Sequence, residues 1–84
     1  MTKVELPKWF EGELYSEGGE VTNPFSGQSY ELTAEELSMY DFIIGANNLM
    51  EMGIVRNNKV LTDLRKGISW FRKNNPEAYY VLLD

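Results

Sequence analysis

The chain has 84 residues, a formal net charge of -5, 43% hydrophobic residues, and neither cysteine nor histidine. Those two absences exclude thiolate nucleophiles, disulfides, thiolate or imidazole metal ligands and histidine acid/base catalysis, leaving carboxylates, lysines, tyrosines and hydroxyls as the only reactive groups. With no staple available, a chain this short reads as one marginally stable α+β domain over residues 1–84 with a tendency to associate, so a homo-oligomer is the first expectation.

The net charge hides a segregation. Residues 1–53 carry ten acids against Lys3 and Lys8, whereas residues 54–84 carry six bases against Asp63, Glu77 and Asp84. Two consequences are open: the halves attract each other within one fold or across a dimer, or an acidic face and a basic stripe serve different partners. The first 30 residues have no signal-peptide pattern and no stretch nears the roughly 18 apolar residues of a membrane span, so the expectation is an intracellular chain without a membrane partner.

In chain order, residues 1–8 read as a loose N-terminus, and Trp9 with Phe10 as the first group able to dock on a core. Residues 13–33 alternate short apolar-polar runs with turn residues, which predicts a β-hairpin or a three-stranded meander. Asn23-Pro24-Phe25-Ser26-Gly27 supplies the turn, with Pro24 at its second position and Gly27 at a positive φ. Val21, Tyr30 and Leu32 then share the inner face.

Thr33 and Glu36 form a capping box that starts a first main helix, running from about Ala34 to Met52 and closed by Gly53. Met39, Phe42, Ile43, Ala46, Leu49 and Met50 fall in one broad arc, and Leu37, Tyr40 and Ile44 form a second apolar stripe. A helix apolar on two faces needs two covers. A second main helix is expected from about Lys59 to Lys73, with Val60, Leu61, Leu64, Ile68 and Phe71 facing the core. Asn75-Pro76-Glu77 is a further helix start, so residues 78–83 read as a short C-terminal helix, with a strand as the alternative.

Trp70 is the residue least explained by core formation. It is predicted beside Lys59, Asp63, Lys66 and Lys73, away from the Leu64/Ile68 arc. It is then either a partner anchor or an indole covered by Trp9-Phe10 or by the last helix, with lysine stems over its ring. Lys59, Lys66 and Lys73, flanked by Arg65 and Arg72, also give the minimal electrostatic footprint of nucleic-acid contact, although the chain is acidic and carries no nucleic-acid-binding motif. Among the acids, Glu31, Glu35 and Glu36 cluster at the hairpin-helix junction with capping roles. Asp41 stands on a narrow polar stripe with Ser38, Gly45 and Asn48, and if buried it would need Arg56 or Arg65 as a partner. No catalytic set and no metal ligands are recognisable, and no cofactor is implied.

Leu6-Pro7-Lys8-Trp9-Phe10-Glu11-Gly12, Asn23-Pro24-Phe25-Ser26-Gly27 through Tyr30-Glu31-Leu32-Thr33, Leu37-Ser38-Met39-Tyr40-Asp41-Phe42-Ile43 and Trp70-Phe71-Arg72-Lys73-Asn74-Asn75-Pro76-Glu77-Ala78-Tyr79 together resemble a family of small uncharacterised proteins of marine T4-like phages that infect cyanobacteria. The resemblance implies a viral protein in the cytoplasm of a bacterial host or in the virion, and it carries no activity or ligand with it. The residues themselves point to a non-enzymatic protein that self-associates or binds a partner, through Leu37, Tyr40 and Ile44 or through Trp70. The alternative is nucleic-acid binding through Lys59, Arg65, Lys66, Arg72 and Lys73.

Overall fold

A computed structural model describes residues 5–10, 12–53 and 58–83. Its element order is β1 (Gly19–Thr22), β2 (Ser29–Leu32), α1 (Ala34–Glu51), α2 (Asn58–Asn74) and α3 (Pro76–Leu82). The fold is α+β: one antiparallel hairpin followed by two main helices and a short C-terminal one. Residues 13–15 form no strand, so the hairpin alternative holds and the meander does not.

The register pairs Val21 with Tyr30 and Gly19 with Leu32, which puts Val21, Tyr30 and Leu32 on the face that packs against the helices. The connecting turn closes differently from the simple four-residue turn expected. Gly27 N donates to Asn23 O at 2.9 Å, one residue beyond the usual span, and Gly27 takes the left-handed conformation (φ 77°) that returns the chain to β2.

α1 starts where its capping box requires. Glu36 N donates to Thr33 Oγ1 at 3.2 Å and Thr33 N donates to Glu36 Oε1 at 2.9 Å, satisfying two donors that the first turn leaves without helical partners. Met39, Ile43 and Ala46 are buried as the periodicity predicts, while Leu49 stands at the surface. Ser38, expected on a polar stripe, is buried too. Its hydroxyl donates to Ala34 O and accepts from Tyr15 N, clipping the segment before the hairpin onto α1.

α1 and α2 approach closely at Gly67. A Cβ there would lie 3.0 Å from Met39 Sδ and 3.5 Å from Ile43 Cγ1, so the absence of a side chain sets the helix spacing. Leu64 and Phe71 supply the buried apolar face of α2, and the Phe71 ring meets Tyr40 at 6.4 Å between centroids. Asn75 caps α3 through Ala78 N at 3.1 Å, with Pro76 in the first turn, so residues 76–82 form the helix of the two alternatives. No helix among the described residues is long and apolar enough to cross a membrane.

Candidate functional site

The second apolar stripe of α1 is largely occupied from within the chain. Leu37, Tyr40 and Ile44 are half-buried, and Leu37 and Tyr40 pack against the core cluster. Ile44 lines one depression with Tyr79 and Leu83 and another with Tyr40, Leu82 and the hairpin turn. Phe25 at the tip of that turn is 97% exposed. The expected spare face is therefore partly covered from within the chain, with depressions at Ile44 bordered by α3 and the Asn23–Phe25 turn.

That cover is held by hydrogen bonds whose partners lie far apart in sequence. Asn23 is buried; its Nδ2 donates to Val81 O at 3.0 Å, satisfying a carbonyl at the end of α3, and its Oδ1 accepts from Phe25 N at 2.8 Å. Asn75 Nδ2 donates to Glu36 Oε2 at 3.0 Å, and Tyr30 Oη donates to Asn75 Oδ1 at 3.4 Å. The capping residues of α1 and α3 are thus bound to each other and to β2. Glu36 is consumed by this junction, which gives that acid a structural role.

Asp41 is exposed and needs no buried cation. Arg56 lies outside the described residues, and Arg65 makes no ion pair with Asp41. The Asp41 carboxylate instead faces the Tyr15 phenol. Burial first, then the charges of Asp41 and Glu13, push that phenol above its ordinary value of 10.0. Burial alone does the same to Tyr40. Among the described residues no three acids gather at metal-binding distance.

α2 presents a different surface. Arg65, Lys66, Ser69, Trp70 and Lys73 recur at helical spacing and, together with Trp9, line an open cleft of about 420 Å³. Trp9 is held there by its own neighbours: its ring lies 6.1 Å from Phe42 and 6.4 Å from Phe10, and Phe10 lies 5.7 Å from Phe42. This tilted aromatic trio docks the N-terminal segment on α1 and brings the second indole to the edge of α2. Both tryptophans are half-buried and pack against the core cluster.

Among the described residues no carboxylate lines the cleft, and none lies within ion-pair distance of Arg65, Lys66, Arg72 or Lys73. Arg72 lies beside the cleft, with its guanidinium 5.9 Å from the Tyr79 ring centroid. Two residues grouped with Trp70 by spacing belong elsewhere. Asp63 is buried, at 9% exposure, and pairs with Lys59 at 2.8 Å; neither borders the cleft. Spacing predicts the Trp70, Lys66 and Lys73 side of the site. Trp9, named from the sequence as one of the covers Trp70 could take, lines the same cleft and is placed there by contacts with Phe42.

No family model, no curated protein and no solved structure matches the chain.

Proposed function

We propose that this is a non-enzymatic binding protein that takes an acidic protein partner on the Trp9–Trp70 face of α2. The observation that carries the reading is the set of basic side chains that, among the described residues, have no carboxylate partner and lie around two half-buried indoles, on a chain that is acidic as a whole. Anchored aromatic side chains lose little conformational freedom on binding, and tryptophan and arginine are enriched among residues that dominate interface energetics. The surrounding charges would speed the approach of an acidic partner and set its orientation.

Nucleic acid is the second reading, because the same indoles could stack on bases while the cations meet phosphates. The charge of the whole chain weighs against it: a polyanion approaching α2 also meets the field of a -5 protein. The resemblance to cyanophage proteins makes the host cytoplasm or the virion the natural setting for such a contact.

The two readings separate in a fluorescence titration at low salt, using Trp9→Phe so that Trp70 is the sole indole reporter. The probes are a capped peptide of glutamate interspersed with leucine and tyrosine, and a 20-nucleotide deoxythymidine oligomer. The expected result is a saturable shift in Trp70 emission with the peptide, lost in 0.5 M salt, and none with the oligonucleotide. Binding of the oligonucleotide alone would install the nucleic-acid reading, and silence with both probes would remove the α2 face as a binding surface.

A further inference from the structure

We infer that the occupant of the Trp9–Trp70 cleft is a second copy of this chain, which presents its own segment Glu13-Leu14-Tyr15-Ser16-Glu17. The inference rests on the reading of the α2 face as a binding surface and adds the identity of the partner. The segment is complementary to the cleft in both charge and polarity. Leu14 is 72% exposed and Tyr15 is 37% exposed, while Glu13 and Glu17 flank them and are exposed as well. The cleft offers two indoles for the apolar groups and Arg65, Lys66 and Lys73 for the carboxylates.

The segment is also prepared for contact. It belongs to no helix or strand, yet the Tyr15 N to Ser38 Oγ bond at 2.9 Å ties it to α1. At its far end Gly18 sits against the Leu32 carbonyl, where a Cβ would collide with the backbone oxygen. Anchoring at both positions reduces the ordering cost that a free segment would bear on binding. Held there, neither Glu13 nor Glu17 forms an ion pair with Arg65, Lys66 or Lys73 of its own chain, so the cleft is served by another copy.

Self-recognition of this kind brings together charges that form no ion pair among the described residues, namely Glu13 and Glu17 on one copy and Arg65, Lys66 and Lys73 on the other. Charged contacts that remain at a solvent-exposed rim are weak and salt-sensitive, and one short segment in one cleft is a small interface. The association is therefore a weak, reversible one that weakens as ionic strength rises.

A charge-swap experiment on the full chain decides it. One variant carries Lys66→Glu and Lys73→Glu, the other Glu13→Lys and Glu17→Lys, and sedimentation velocity is run between 10 μM and 1 mM at low salt. The wild-type chain is expected to associate across this range, each variant alone to associate at least tenfold more weakly, and an equimolar mixture of the two to regain wild-type association or better. Circular dichroism of each variant verifies that it folds. A wild-type chain that stays monomeric to 1 mM, or a mixture that stays as weak as its components, overturns the second-copy assignment. If the glutamate-rich peptide still shifts Trp70 emission in that case, the binding face stands with a different occupant. If it does not, the face itself falls.

Discussion

The junction around Asn75 and the face of α2 lie within one short stretch of chain, yet they treat polar groups in opposite ways. At the junction Thr33, Glu36, Asn75 and Tyr30 are linked through hydrogen bonds of 2.9 to 3.4 Å that join β2, α1 and α3. Earlier in the same stretch, Arg65, Lys66 and Lys73 line a cleft with Trp70, and among the described residues no carboxylate lies within ion-pair distance of them. Polar groups that serve the fold are matched, because an unmatched buried donor or acceptor costs about 1–3 kcal/mol. Cations left in solvent cost the fold almost nothing and remain available to another molecule. The contrast separates residues that hold this protein together from residues that face outward for a different reason.

The sharpest way to break the comparison is at Asn75. Asn75→Ala removes the cap of α3, takes the donor from Glu36 Oε2 while Oε1 keeps Thr33 N, and leaves the Tyr30 hydroxyl without its acceptor, so a loss of about 2 kcal/mol is expected. In a domain of this size that lowers Tm by roughly 8–16 °C. Asn74→Ala is the control: its exposed side chain donates only to Trp70 O, and a change within about 0.5 kcal/mol is expected in the same thermal melt.

A smaller effect follows from the two tyrosines. Their folded-state values lie above the ordinary 10.0, so the fold retains phenol protons that the unfolded chain has released. The stabilising contribution is complete below pH 10 and is lost as pH rises through the folded values, so urea midpoints should fall progressively on the alkaline side. Tyr40→Phe and Tyr15→Phe should each flatten that decline. A midpoint unchanged by either substitution above pH 10 would show that these phenols titrate alike in both states.

What could be read from sequence was what neighbours in sequence decide. The Thr33–Glu36 capping box, the Asn75-Pro76 helix start, the left-handed Gly27 and the helical spacing of Trp70 with Lys66 and Lys73 all depend on residues within a few positions of one another. The features that escaped depend on contacts across the fold. Asn23 reaches Val81, Asn75 reaches Glu36, and Ser38 turns inward because Tyr15 N needs an acceptor. The cleft draws on both kinds of information: α2 periodicity places Trp70 among its cations, and Trp9, which the sequence offers as one cover for that indole, is fixed beside it by packing with Phe42 and Phe10. Asp63 was misplaced for a related reason. Spacing set it beside Trp70, whereas burial and the Lys59 pair put it at the edge of the core.

The smallest expected effect bears most directly on the central claim that the α2 cations contribute no stability to the fold and face outward for binding. The measurement is the urea unfolding free energy of the triple variant Arg65→Gln, Lys66→Gln, Lys73→Gln at low micromolar concentration, where association is negligible. The prediction is agreement with the wild-type chain to within about 0.5 kcal/mol, as for surface positions without partners. A loss of about 2 kcal/mol or more would show that these cations stabilise the fold and would contradict the division between junction and face.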